Sequence, residues 1–354
     1  MTFYIGIAVF CAFLTFLSIT NHKQKKIISA LMIVTIVLFA GLRYNCWTDW
    51  NAYHSFFYGT SAARDFEYGF VIWNRLVRRF ADNYNVYLVL TYMVVSWFYY
   101  KTAKKSVPGY ESLVLFVYFT AILSSGGMRQ FIATGIVLFA TKYLDEDRKK
   151  FFALCIIAFF FHRAAIISIT IPGLLKLLKR VSSKQIIFFS TIGIVFYRLQ
   201  LLNRIVRRLI LLTRFFPSIY SRLILYLPSL KVTQLLSLGF VKRMLIMVML
   251  LAICQYSHRY RRDERYKTTC DIYFIIYQIG FFLSLFVQGK FARMNGYFYC
   301  VEGIVETLIV LGFNDKRYRI CAFFGVIILN LVIFMETLIS SSYQELFIPY
   351  QHCF

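Results

Sequence analysis

Across 354 residues the chain is 59% hydrophobic, with a mean hydropathy of +0.63, richer than the roughly half-apolar make-up of a soluble domain. Apolar runs of about 16 to 20 residues recur, the length a helix needs to cross a hydrocarbon core of about 30 Å, which excludes a soluble enzyme; lipid offers no partner for the backbone groups of an open sheet, which excludes one, and the continuous apolarity of the runs argues against a barrel. The 40 Lys and Arg against 16 Asp and Glu leave a net charge of +24, but they stand in short clusters between the runs. With no soluble domain to carry a nucleic-acid footprint, they read as topology signals and lipid head-group contacts.

The first run begins at Phe3 with no basic residue ahead of it, and "HKQKK" (22–26) follows. That order predicts an external N-terminus and a cytoplasmic Lys cluster rather than a cleaved leader. Span 2 (27–42) returns outward, so "RYNCWTDW" emerges on the external face, with Trp47 and Trp50 read as interface anchors. Span 3 (about 85–100) ends at "KTAKK" (101–105); span 4 covers 111–124; span 5 (130–144) ends at "DEDRKK" (145–150). The segment 151–180 is interrupted by "FHR" (161–163) and admits two readings, one long span or a re-entrant pair of half-helices. The first half of such a pair, about 11 residues, reaches only about 17 Å, and a break at that depth is tolerated where protein buries it.

With the re-entrant pair, spans 7 (185–199), 8 (240–257), 9 (270–287), 10 (295–313) and 11 (318–336) alternate to leave the C-terminus outside. The outer segment 201–238 contains no acid. Its Arg204, Arg207, Arg208 and Arg214 fall within one arc of about 120° on a helical wheel, predicting an interfacial amphipathic helix that binds membrane lipid or roofs an anionic substrate. No repeat or linker divides the chain, so 1–354 is one domain: all-α and polytopic, with about 10 full crossings plus the re-entrant pair. The eight cysteines form no CxxC pair, which gives no metal or redox signature; Cys46 and Cys353, both outside, admit a disulfide.

Charged groups at membrane depth are expensive and mark a pair, a pathway or a ligand. Four groups stand out: Arg43 and Asp49 after span 2, with Tyr53 one turn on; Arg129 and Gln130 in "GGMRQ"; His162 in "FHR"; and Arg293 in "FARMNGYFY". Each has a plainer reading. Arg43 and Arg129 snorkel, Asp49 caps a helix, and His162 packs. Taken together, Arg43, Arg129 and Arg293 reach the outer side of three spans. Guanidinium forks beside a carboxylate and an imidazole suit a phosphate-bearing substrate.

The stretches "GLRYNCWTDWNAYHSFF", "FEYGFVIWNRLV", "GGMRQFIATGIVLFATKYL", "FFALCIIAFFFHRAAIISITIPG" and the late "IPYQ" (348–351) resemble the EpsG-type branch of the Wzy polysaccharide polymerases. The motif order is carried between about residues 41 and 172; residues 200–260 match no pattern, and Cys46-Trp47-Thr48-Asp49 stands where Gly-Thr-Asp is common. The resemblance implies a GT-C-like helical glycosyltransferase of the bacterial inner membrane. It would join undecaprenyl-pyrophosphate-linked repeat units of O-antigen, capsule or exopolysaccharide on the periplasmic or exterior face, alongside a chain-length regulator and a flippase of the same pathway.

Departing pyrophosphate needs preorganised cations, for which Arg129 and Arg293 are the candidates, and the acceptor hydroxyl needs a base, for which Asp49 leads with His162 and Glu67 behind it. Arg43, Tyr53, Glu67, Gln130 and Tyr350 are the expected substrate-binding residues, with no metal and no cofactor. The rival reading is a lipid-linked oligosaccharide flippase using the same residues as ligands only, since broken helices also suit transporters. A membrane acyltransferase is a third, resting on "FHR" alone.

Overall fold

A computed structural model describes residues 1–21, 23–47, 49–59, 66–124, 127–178, 188, 192, 195, 201–217, 220–221, 237–286, 293–340 and 344–353. In chain order the helices are α1 (Thr2–Thr20), α2 (Lys25–Gly41), α3 (Trp50–Phe57), α4 (Tyr68–Phe80), α5 (Tyr84–Ser106), α6 (Glu111–Ala121), α7 (Met128–Thr141) and α8 (Arg148–Phe161). After a 3-10 stretch at Arg163–Thr170 come α9 (Ile171–Leu178), α10 (Leu201–Leu212), α11 (Leu238–Tyr256), α12 (His258–Arg262) and α13 (Glu264–Phe286). The last are α14 (Gly296–Tyr299), α15 (Glu302–Leu311), α16 (Lys316–Ile339) and α17 (Gln344–Phe347). Among the described residues every regular element is helical. Among the described residues five stretches are long and apolar enough to cross a membrane: Thr2–Thr20, Leu238–Tyr256, Glu264–Leu285, Arg293–Leu311 and Lys316–Ile339. The chain is a helical membrane protein.

Helix starts follow from side chains that satisfy the orphan N–H groups of a first turn. Asn83 accepts from Asn85 and Val86, Asp147 from Lys150, Ser237 from Phe240, and Asp315 from Arg317. α5 runs through "KTAKK" to Ser106 rather than ending near residue 100, because nothing breaks a helix before Pro108 and lysines suit a C-terminal turn. Between spans 2 and 3, α3 begins just after Asp49, where a capped helix was weighed from sequence, whereas α4 was not foreseen. Predicted span 7 lies almost wholly outside the described residues. Of the predicted interfacial segment 201–238, residues Leu201–Leu212 form helix α10, where Ile205 and Leu209 are exposed on a face apart from Arg204, Arg207 and Arg208; most of the remainder lies outside the described residues.

The centre is built from α6, buried at every residue from Glu111 to Thr120, and α15, buried from Gly303 to Leu311. A Cβ on Gly303 would lie 3.1 Å from the Val114 carbonyl oxygen, so the two backbones approach as closely as they do because that position is glycine. Around this centre α1, α11 and α16 bury one face and expose apolar side chains such as Phe10, Phe13, Val248 and Ile328 on the other. Helices that are apolar all round yet uncovered on one side are made for lipid rather than water.

The two ends of the bundle differ chemically. At one end Lys25 meets Tyr110, Lys105 bonds Glu146 at 2.6 Å and the Lys142 carbonyl at 2.5 Å, and Ser106 reaches Tyr273. The same contacts continue through Tyr266 and Ser257, which bond the Leu308 and Gly312 carbonyls, to Arg259 at the Leu311 carbonyl. The basic clusters near residues 23–26, 101–105, 142–150 and 259–267 therefore share one end. The opposite end collects the tips of α2, α5, α7, α8 and α16: Asn85 donates to the Gly41 and Arg43 carbonyls, Tyr4 to that of Phe347, and Tyr297 contacts His162. The segment 151–178 breaks at His162, which is extended (φ −156°, ψ 117°), so it is not one continuous helix.

Candidate functional site

The site starts in the turn after α2. Asn45, Trp47 and Asp49 all have left-handed backbones, with φ of 44°, 77° and 61°. Asn and Asp tolerate this because their short polar side chains bond locally; Trp does not. Asp49 stands just ahead of α3 in the capping position, but its side chain caps nothing. It is exposed, and it faces the start of α7. A Cβ on Gly127 would lie 3.0 Å from Asp49 Oδ2 and 2.5 Å from the Tyr53 hydroxyl, so α7 begins this close only because residue 127 is glycine. Tyr53 is buried and its hydroxyl is in hydrogen-bonding contact with Arg129. Burial raises its phenol above the usual range, so it remains a proton donor at neutral pH.

Arg129, one residue into α7, donates through Nη1 to Glu67 Oε2 at 2.6 Å and lies 5.0 Å over the Phe66 ring. The other Glu67 oxygen accepts the Arg163 backbone N–H at 3.4 Å. One carboxylate thus ties together the start of α4, the start of α7 and the break after α8. Across that break His162 Nδ1 meets the Tyr297 hydroxyl at 2.6 Å. Glu67, Arg129 and Arg293 all lie within electrostatic reach of the imidazole. Arg293 itself is exposed, and its carbonyl accepts from Gln130 Nε2 at 2.9 Å, which locks the turn before α14 onto α7. Among the described residues no three His, Cys, Asp or Glu side chains gather as a metal site.

Two guanidiniums, two carboxylates and an imidazole thus gather at one end of the helical bundle, and residues 26–352 match the family model described as the EpsG family. The chain belongs to the EpsG family. This is the family of the Wzy-type polysaccharide polymerases, and its members have a glycosyltransferase-like, polymerising role at a membrane. No curated protein and no solved structure gives a significant match.

Set against that family reading, Asp49, Tyr53, Glu67, Arg129, Gln130, His162 and Arg293 come together, and two other expected binders do not join them. Arg43 is 3% exposed, its guanidinium 4.3 Å over Trp47 and 5.2 Å over Tyr92, with Nη1 donating to the Ala40 carbonyl at 2.5 Å. Aromatic faces and a helix-end carbonyl, both able to stabilise a desolvated cation, hold it inside the protein. Tyr350 likewise turns inward, donating to the Phe39 carbonyl at 2.6 Å and stacking on Phe39.

Trp47 and Trp50 are 7% and 6% exposed, so they pack within the protein rather than anchoring at an interface; the Trp50 ring stacks on His54 at 4.3 Å. Cys46 and Cys353 are free thiols. Sequence reading passed over Gly127 and Tyr297. The first was legible only as half of a Gly-Gly pair and the second was hidden among the aromatics of "NGYFY".

Proposed function

We propose that this EpsG-family protein joins undecaprenyl-pyrophosphate-linked oligosaccharide repeat units on the outer face of the bacterial inner membrane, in O-antigen, capsule or exopolysaccharide synthesis. The observation that carries this reading is the meeting of Arg129, Arg293, Asp49 and His162 at the end of the bundle opposite the basic clusters. Since basic clusters favour the cytoplasm, that separation supports an outward-facing site. We infer about ten crossings with 151–178 as a re-entrant pair, in a GT-C-like architecture. The break at His162 supports the pair. A chain-length regulator and a flippase of the same pathway are the expected partners.

In the proposed reaction the bond from the donor's anomeric carbon to the pyrophosphate oxygen breaks, and a bond to the acceptor hydroxyl oxygen forms. The hydroxyl proton passes to Asp49, whose exposed carboxylate is free of capping bonds, and undecaprenyl pyrophosphate leaves. Arg129 and Arg293 stabilise the charge that develops on the leaving group, which is why we propose a metal-independent step. Glu67, with both oxygens engaged, orients Arg129 rather than acting as base. Tyr53 and Gln130 fix the arginine turns. His162, held by Tyr297, lies beside the same charges and is the second candidate for proton transfer.

Purified protein incubated in detergent with a synthetic undecaprenyl-pyrophosphate-linked repeat unit and EDTA is expected to yield a ladder of glycan lengths. Arg129→Ala and Asp49→Ala are expected to abolish it. The second reading, a flippase, draws on the broken helix at His162. It predicts no ladder from wild-type protein and movement of the lipid-linked unit across a vesicle.

A further inference from the structure

Beyond α16 the chain returns and lies antiparallel to the turn that carries Asp49. Trp47 N donates to the Leu346 carbonyl at 2.7 Å, Tyr44 N to that of Gln351 at 2.9 Å, and Cys353 N to that of Leu42 at 3.1 Å, with Arg43 and His352 paired as an antiparallel bridge. Side chains hold this strap down. Tyr4 of α1 donates to the Phe347 carbonyl at 2.8 Å, Phe347 is 1% exposed, and Tyr350 bonds and stacks on Phe39 of α2.

Beneath the strap is the turn with left-handed backbones at Asn45, Trp47 and Asp49. Trp47 tolerates that conformation least, and it is the residue tied at both N–H groups, its backbone to Leu346 and its indole to the Tyr4 hydroxyl at 3.2 Å. Such a backbone persists only where its surroundings over-determine it. Asp49 follows two residues later, and because its carboxylate caps no helix N–H, its direction is inherited from the turn's backbone.

We propose that residues 344–353 are a positioning element of the active site, which pins Trp47 and thereby aims Asp49 at the space bounded by Tyr53 and Gly127. The strap touches no substrate; Tyr350 acts through Phe39 and the turn. The inference rests on the reading of Asp49 as the acceptor's base, and the test separates the two.

Full-length protein, a variant ending at residue 343, Tyr350→Ala and Tyr350→Phe are compared in the ladder assay, each alone and combined with Asp49→Glu. In the Asp49→Glu background the carboxylate is already displaced by one methylene. Removal of the strap, or Tyr350→Ala, is expected to lower kcat at least about tenfold with KM changed less than about twofold. In the Asp49→Glu background the same change costs less than about threefold, because both act on one group. Tyr350→Phe, which keeps the stacking, falls between Tyr350→Ala and wild type.

A second readout needs no catalysis. Cys46 is 4% exposed, with Sγ 3.8 Å from the Gln351 carbonyl oxygen, and it reacts faster with a maleimide when the strap is loosened. A raised KM at unchanged kcat, an equal loss in the Asp49→Glu background, or undiminished activity without the strap overturns the positioning role. A wild-type protein that makes no ladder overturns the polymerase reading instead. The strap is then judged on Cys46, and unchanged labelling in Tyr350→Ala overturns it as well.

Discussion

At the residue scale the site depends on close approaches that single atoms would spoil. Gly127→Ala places a methyl group against the Tyr53 hydroxyl and Asp49; misplacement of a reacting group by about 1 Å costs about 100-fold. Ladder formation should drop by that order while the protein remains folded by thermal denaturation, and Tyr53→Phe, which deletes the obstructing hydroxyl, should return part of the lost thermal stability. Arg129→Lys keeps the charge but loses the planar fork that reaches Glu67 and Tyr53 together, so kcat should fall about 100-fold or more.

Asp49, Arg129, His162 and Arg293 were legible as residues because a charge beside an apolar run is conspicuous. Arg43 looked the same in sequence and sits elsewhere. Spacing from a span end does not distinguish a guanidinium that faces a cleft from one that folds back over Trp47 and Tyr92.

At the scale of elements, α11 shows why a charge cluster is not always a loop. Lys242 and Arg243 stand at the start of predicted span 8, just past the basic outer segment, and Lys242 is buried. Its ammonium bonds Glu302, Glu306 at 3.0 Å and Asn330 Oδ1 at 2.7 Å, and Asn330 Nδ2 donates to Glu306 at 2.6 Å. This network docks α11 on α15 and α16. Lys242→Met leaves two carboxylates without their cation, and breaking a buried pair from one side costs about 3–5 kcal/mol, so a marked drop in melting temperature in detergent is expected. Replacing Lys242, Glu302 and Glu306 together by apolar residues should cost less than the single change.

The break after α8 belongs to the same scale. Fourteen residues from Arg148 to Phe161 rise about 21 Å, and the chain then turns at a histidine held by a tyrosine from another helix. The interruption was visible in "FHR"; its partner was not.

At the scale of the whole molecule, the separation of basic clusters from the site predicts orientation. With the eight native cysteines replaced by serine, Asn45→Cys should react with a membrane-impermeant maleimide on intact cells, and Asp145→Cys only after permeabilisation. The reverse pattern would invert the protein and remove the outward-facing site.

Composition and run length alone determined that this chain is a helical membrane protein, since uninterrupted apolar runs of bilayer length leave no other satisfied backbone. Motif order alone was enough to indicate the family. Only the tertiary structure decided that Glu67 serves Arg129, that Arg43 and Tyr350 turn inward, and that the last residues lie over the first turn. Those outcomes depend on contacts between segments far apart in the chain, among them Glu67 with Arg129 and Trp47 with Leu346. Local periodicity carries no information about such meetings, because helix period and span length are set within one segment while the pairing of loops is set by how all the helices pack.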